Sequence, residues 1–301
     1  MKEADPQVFY RKHLKLLDAS FSLIEHEDAM VATAYKVVCP NGKMFILKEC
    51  ERKNDYLREV YFLNHFAGKV PVPRIAQMIE PAKDIHGAIL MEYLPGALLK
   101  GKNLTDQLAF EIGACLAKIH LNRVGGYGDL IQTDQLSFDP QFPFTLKFHE
   151  GIEECKSHLP EHLIEQAIEY YERHVDILKS SDGPCIIHRD FRPGNLIVNK
   201  GKLQGIIDWS SARAGFAEED FCSLEAGEWS ISNLCKKSLS SGYSSIRKIP
   251  NYSKVMPLLL LSKAIATIGF TVKRGTWNNR DGNIYRFYRQ QLENFLNGKT
   301  L

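Results

Sequence analysis

The run His188-Arg189-Asp190-Phe191-Arg192-Pro193-Gly194-Asn195, with Ile206-Ile207-Asp208-Trp209 a short way beyond it, carries side chains of the type and spacing that phosphoryl transfer needs. Moving a γ-phosphoryl group requires a metal ion to neutralise charge on the triphosphate and a carboxylate to orient the attacking hydroxyl. Mg²⁺ is hard, takes oxygen ligands, and is usually held by one or two carboxylates together with phosphates and water. Asp208 offers a carboxylate and Asn195 an amide oxygen, while Asp190 can accept the hydroxyl proton or align the hydroxyl. His188 is expected to brace the loop rather than ligate metal. Alone, an Asp or Asn in a loop is an ordinary turn residue. The whole H-R-D-x-x-x-x-N string with a correctly spaced Asp is a catalytic-loop pattern.

Those side chains need a scaffold. Cys185-Ile186-Ile187 reads as a short buried strand entering the loop, and Leu196-Ile197-Val198 as a second strand leaving it. The polar turn Asn199-Lys200-Gly201-Lys202 leads back into Leu203–Ile207, which predicts a β-hairpin with Asn195 and Asp208 side by side at its open end. Upstream, two apolar runs around Pro40-Asn41-Gly42 predict another hairpin, its second strand ending at Lys48. The segment Asp55–Phe66 has apolar residues at helical spacing. Its inward-tending face carries Glu59, the expected partner of Lys48, whose ammonium would hold the phosphates. Glu49 and Glu51 lie too close to Lys48 along the chain to serve as well. Gly87–Leu94 reads as a buried strand broken by Pro95-Gly96, a hinge at which the backbone of Glu92, Tyr93 and Leu94 would read a nucleotide base. Backbone contacts leave no side-chain signature, so ATP and GTP both stay open.

The chain resembles the aminoglycoside phosphotransferase and choline kinase-like family of small-molecule kinases over nearly its whole length. The resemblance is carried by the HRDFRPGN loop and Ile207-Asp208-Trp209, which are specific. Val70-Pro71-Val72-Pro73, Met91–Gly96 and Leu116-Ala117-Lys118-Ile119-His120 support it. It implies Asp190 as catalytic base, Asn195 and Asp208 as Mg²⁺ ligands, and Lys48 on the phosphates. It also implies Asp220 as a brace behind the active-site loop. Two departures stand out. Members commonly carry a glycine-containing turn over the triphosphate, whereas residues 26–33 hold no glycine and include Glu27 and Asp28. Close approach of phosphate is harder there, and the carboxylates repel it. Arg189 stands where many small-molecule kinases have Gly, as in protein kinases. A protein kinase is disfavoured by the absence of G-x-G-x-x-G, by Asp-Trp-Ser in place of Asp-Phe-Gly, and by the lack of Ala-Pro-Glu after Asp208.

The 301 residues suffice for a large core, and 44% hydrophobic with 25% charged residues is ordinary for a globular protein. The N-terminus shows no signal peptide. Residues 256–272 are apolar but short and interrupted by Lys263 and Gly269, so a buried helix is expected and no membrane association. Seven scattered cysteines without C-x-x-C spacing indicate free thiols and a reducing cytoplasm. Helical stripes start at Thr105 and after Pro160, the second carried to Leu178. The expected architecture is α+β and two-lobed, protein-kinase-like: a small antiparallel β-sheet N-lobe (1–92), a hinge (93–97) and a mostly helical C-lobe (98–301).

The acceptor must be read from charge. Glu218, Glu219, Asp220, Glu225 and Glu228, followed by Trp229, form an acidic run that suits a cation. Residues 229–280 then contain no Asp or Glu and nine Lys or Arg. A polycationic aminoglycoside needs a strongly acidic pocket. With a net charge of +2, the expected acceptor is a neutral, singly charged or anionic hydroxyl compound; an aminoglycoside or another antibiotic is the alternative. No nucleic-acid module is recognisable. A catalytically silent nucleotide- or ligand-binding protein is the competing class, favoured by the glycine-free loop and opposed by the intact Lys48, Asp190, Asn195 and Asp208 set. The oligomeric state is not legible.

Overall fold

The structure is a computed structural model and describes residues 6–25, 32–279 and 281–298. In chain order these form α1 (Pro6–His13), β1 (Ser20–Leu23), β2 (Ala32–Val38), β3 (Met44–Cys50), α2 (Lys53–Phe66), β4 (Ile75–Ile79), β5 (Gly87–Glu92) and β6 (Ala97–Leu98). There follow α3 (Asp106–His120), α4 (Gln141–Cys155), α5 (Glu161–His174), β7 (Cys185–Ile187), β8 (Leu196–Asn199), β9 (Lys202–Ile206) and β10 (Arg213–Gly215). The last are α6 (Cys222–Glu225), α7 (Asn233–Ser244), α8 (Met256–Lys273) and α9 (Gly282–Leu296). Contacts divide the chain into two compact units: residues 1–119, 190–212 and 230–247, and residues 120–189, 213–229 and 248–301. The catalytic hairpin and α7 fall in the first unit with the N-terminal sheet.

In the first unit the sheet runs β1-β2-β3-β5-β4, antiparallel throughout. The β2–β3 hairpin turns at Pro40-Asn41-Gly42, where Asn41 Oδ1 accepts the Lys43 amide at 3.0 Å and Gly42 takes φ +79°. Val37, Leu47, Ala88 and Leu90 bury one face of the sheet with Tyr10 and Leu14 of the N-terminal segment. Lys48 was expected to end β3, but the strand continues to Cys50, because Glu49 and Cys50 still pair with Ala88 and Gly87. Helix α2 buries Tyr56, Phe62, Leu63 and Phe66. Phe62 and Phe66, one turn apart, both meet the Trp209 ring, at 6.0 and 4.8 Å between centroids. The catalytic hairpin has the predicted form, with Leu196 opposite Ile206 and Asn199 opposite Lys202. Strand β6 adds to its edge, pairing with β8. Gly96 allows that approach: at φ +141° a Cβ there would stand 2.3 Å from the Val198 carbonyl oxygen.

The second unit is mostly helical around the short β7–β10 pair, in which Ile187 lies opposite Arg213 and Cys185 opposite Gly215. Helix α4 packs on α8, α8 on α9, and Phe148 stacks on Tyr171 with centroids 3.9 Å apart. The stripe expected to reach Leu178 is helical only to His174; Val175–Ser180 continue as a 3₁₀ turn that still buries Leu178. By length and composition α8 is apolar enough to cross a membrane, yet half of it is buried inside the protein. Leu258, Leu259, Leu261, Ala264, Ile265 and Ile268 are core residues.

Candidate active site

Lys48 projects from β3 and Glu59 from α2. The Lys48 Nζ lies 2.8 Å from Glu59 Oε2 and 2.9 Å from Asp208 Oδ1. Lys48 and Glu59 are buried, and Asp208 is 41% exposed. Burial works against the ammonium, but the carboxylates of Asp208 and Glu59 outweigh it and hold Lys48 above its ordinary range, hence charged. Of the two carboxylates on Lys48, Asp208 is the more exposed.

Asp208 itself sits in the left-handed region at φ +63°, a conformation Asp tolerates better than most residues. Its Oδ1 also accepts the Ser210 hydroxyl at 2.8 Å. The bend is secured on both sides: Trp209 Nε1 donates to the Ile206 carbonyl at 3.0 Å, and Arg58 donates to the Ser210 carbonyl at 3.3 Å. Helix α2 therefore delivers Glu59 to Lys48 and steadies the turn that aims Asp208.

Asp190, Arg192 and Asn195 form a second group in the same unit. Pro193 disfavours helical backbone for the residue before it, and Arg192 is extended at φ −140°, ψ 162°. Its carbonyl accepts the Asn195 amide at 2.9 Å, which turns the chain back on itself. Asn195 Nδ2 then donates to Asp190 at both its carbonyl (2.8 Å) and Oδ2 (2.7 Å). Arg192 Nε reaches both carboxylate oxygens of Asp190 at 3.2 Å. The Asn195 carbonyl accepts the Ile207 amide at 3.0 Å, holding residue 195 next to the strand that ends in Asp208.

This donor set fits Mg²⁺. With the Asn195 nitrogen on Asp190, its amide oxygen is the end turned to a cation, and Asp208 supplies a partly exposed carboxylate. Among the described residues no group of three or more His, Cys, Asp and Glu side chains could hold a metal.

In the second unit Asp220 is buried and accepts the His188 amide at 2.8 Å, the Arg189 amide at 2.5 Å and His120 Nε2 at 3.0 Å. Burial opposes its ionisation. The His120 hydrogen bond and charge, the nearby His188 and the backbone donor prevail, and the carboxyl is held below its ordinary range. Arg189 occupies left-handed backbone at φ +68°, so the position where relatives carry Gly is one where a side chain is strained. His188 is fully buried.

The acidic run behind Asp220 is engaged internally. Glu218 is buried and accepts the Asp182 amide at 2.9 and 3.1 Å; burial raises its pKa. Glu219 pairs with Arg213 at 2.6 Å. Glu225 accepts the Tyr252 hydroxyl at 3.1 Å, and Glu228 takes Lys263 at 3.1 Å and the Tyr288 hydroxyl. Trp229 is a core side chain, 2% exposed. The carboxylates of the run that suits a cation thus already have partners within their own unit. Of the basic stretch, residues 230–247 belong to the first unit and those from 248 to the second.

At the hinge, the Glu92 amide donates to the Arg74 carbonyl at 2.8 Å. Its side chain is turned towards the Arg74 amide at 3.4 Å. Lys36 lies over the Tyr93 ring at 5.0 Å. Leu94 packs against Gly205 of β9, where a Cβ would stand 2.1 Å from its Cδ1. Residues 26–31, the greater part of the expected phosphate-covering segment 26–33, lie outside the described residues.

Four side chains that matter to this geometry carried no assigned role in the sequence: Arg192, His120, Ser210 and Arg58. Arg192 and His120 lie inside quoted motifs, so the signal was present without its meaning. Ser210 lies in the Asp-Trp-Ser string and meets Asp208 locally, whereas nothing in the sequence marks Arg58, whose contact reaches the Ser210 carbonyl through the fold.

Residues 27–235 match the model of the phosphotransferase enzyme family. No curated protein matches the chain by sequence. Among solved structures the chain is similar to a thermostable mutant of aminoglycoside phosphotransferase APH(4)-Ia in ternary complex with AMP-PNP and hygromycin B. The TM-score is 0.73 at 11% identity, covering 96% of this chain and 97% of that one. It is also similar to ADP-bound aminoglycoside phosphotransferase APH(2'')-Ib, with TM-score 0.65, 16% identity and coverage of 99% and 98%. The gentamicin complex of APH(2'')-IIa gives 0.69, 16% and 97% of each chain. At these identities the likeness is one of fold, and that fold is the α+β, two-lobed, kinase-like one expected from the sequence.

Proposed function

The chain belongs to the phosphotransferase enzyme family, and we propose that it is an ATP- and Mg²⁺-dependent kinase of a small-molecule hydroxyl. The observation that carries this reading is the Lys48 ammonium held at 2.8 Å from Glu59 and 2.9 Å from Asp208. That triad is the phosphate-handling half of such a site, and the Asp190–Asn195 turn is its acceptor-handling half. Both are present with their charges intact, which disfavours a silent ligand-binding relative.

In the proposed reaction the acceptor oxygen attacks the γ-phosphorus and a new O–P bond forms. The bond from the γ-phosphorus to the β–γ bridging oxygen breaks, and its electron pair leaves with ADP. The hydroxyl proton passes to the Asp190 carboxylate, whose orientation is held by Asn195 and Arg192. Lys48, kept charged, binds the phosphates; Glu59 holds Lys48 in place when Asp208 turns to another partner. Asn195 and Asp208 would hold Mg²⁺, which supplies neutralisation of the triphosphate charge when bound. Asp220 braces the loop by gripping the two amides that precede Asp190, and His188 fills the space behind it. The backbone of Glu92, Tyr93 and Leu94 reads the base. The AMP-PNP and ADP complexes of similar structures support adenine; the same transfer assay run with GTP in place of ATP checks the alternative. The lobe division at 93–97 and a cytoplasmic location, in keeping with seven free cysteines, belong to the same proposal.

We take the acceptor to be neutral, singly charged or anionic. Glu218, Glu219, Glu225 and Glu228 are each engaged by groups of their own unit, so this run does not offer a set of open carboxylates to a polycation. An aminoglycoside acceptor is the second reading, because similar structures hold hygromycin B and gentamicin. Mg²⁺-ATP-dependent ADP release across aminoglycosides, other hydroxylated antibiotics, amino alcohols, sugars and nucleosides separates the two. A sugar or amino alcohol turned over best supports the first reading, and an aminoglycoside at micromolar KM overturns it.

A further inference from the structure

We propose that Arg192 is a positioning residue that aims the Asp190 carboxylate, leaving Oδ1 as the oxygen that receives the acceptor's proton. The inference rests on the phosphotransferase reading for its chemistry and on geometry for its content. A carboxylate oxygen has two lone-pair directions. On Asp190, Oδ2 accepts Asn195 Nδ2 at 2.7 Å and Arg192 Nε at 3.2 Å, so both are taken. Oδ1 accepts only Arg192 Nε, at 3.2 Å, among the described residues. One direction at Oδ1 is therefore open, and the carboxylate is 33% exposed.

Asn195 alone cannot define this geometry. A single hydrogen bond at Oδ2 leaves the carboxylate free to rotate about the bond that joins it to Cβ. A second donor reaching both oxygens from the other side removes that freedom. The chain supplies it economically: residues 190 and 192 are two apart, Pro193 keeps Arg192 extended, and in an extended segment such residues share a face. The guanidinium shares its one Nε–H between the two oxygens and stays charged. In the transfer, the acceptor O–H lies on the open direction of Oδ1, its oxygen forms the new bond to the γ-phosphorus, and its proton moves to Oδ1 as ADP departs. Misplacing a reacting group by about 1 Å can cost about 10²-fold in rate.

The test compares wild type with R192M, R192K and R192Q by crystallography and by steady-state kinetics with Mg²⁺-ATP and the acceptor found in the panel. In R192M the Asp190 carboxylate should rotate while keeping its Asn195 bond. The kcat should fall about 10²-fold, the nucleotide KM should stay within about twofold, and R192K should regain part of the loss. An arginine serving only stability would instead lower the melting temperature and leave kcat per folded molecule unchanged. An unmoved carboxylate in R192M overturns the proposal whatever the kinetics show, and R192K and R192Q give the same reading if R192M fails to fold. If wild type phosphorylates nothing, the functional reading fails on its own, and the crystallographic comparison still decides whether Arg192 aims Asp190.

Discussion

Replacing Asp220 by Ala removes the acceptor for the His188 amide, the Arg189 amide and His120 Nε2, at 2.8, 2.5 and 3.0 Å. All three donors lie around a side chain that is 3% exposed as a residue, so water does not readily replace it. An unsatisfied buried donor costs about 1–3 kcal/mol. Partial relaxation offsets some of that, and the expected destabilisation is about 3–5 kcal/mol, at the severe end for one substitution. D220N should cost nearly as much, because its amide nitrogen would face donors. The assay is urea unfolding followed by circular dichroism and tryptophan fluorescence. Its pH dependence follows from the depressed pKa. A carboxyl held below its ordinary 3.8 in the fold contributes stability that is fully present above that value. The contribution is lost as pH falls through the lowered native value. The gap between wild type and D220A should thus be constant from neutrality down to about pH 5 and narrow below 3.8. A D220A protein within about 0.5 kcal/mol of wild type at pH 7 would refute the bracing argument.

Three other outcomes follow. K48M should abolish turnover and also destabilise by about 3 kcal/mol, since Glu59 is left buried without its cation; E59Q in the same background should restore much of the stability but none of the rate. R189G should stabilise the fold by about 1 kcal/mol in thermal unfolding, because glycine adopts φ +68° without strain, whereas R189A should not. Alkylation of the native protein should label Cys39, the one cysteine of seven that is only half-buried. Cys50, Cys115 and Cys155, whose thiols burial pushes up to about 12, 11 and 12, should react only after unfolding.

The parts of the site that were legible in the sequence are those set by local rules. The hairpin joining Asn195 to Asp208 announces itself through two apolar runs and a polar turn. Glu59 was placed opposite Lys48 by helical phase alone. What could not be read depends on residues far apart in the chain. The Asp220 carboxylate meets amides more than thirty positions away, and Glu218 looks like a surface charge until the fold buries it under the Asp182 amide. The left-handed turn at Asp208 has no glycine to signal it. It is held by Trp209 and Arg58, whose contacts exist only once α2 is docked. Charge counting along residues 218–228 finds an acidic run but cannot tell which of its carboxylates have partners in the fold.

The central claim, that Asp190 drives phosphoryl transfer from ATP to a small-molecule hydroxyl, is tested most directly by γ-phosphoryl transfer with wild type and D190A side by side. Nucleotide binding is measured in both. The account predicts transfer by wild type, a loss of several orders of magnitude in kcat for D190A, and nucleotide affinity little changed between them. Near-normal transfer by D190A would contradict it.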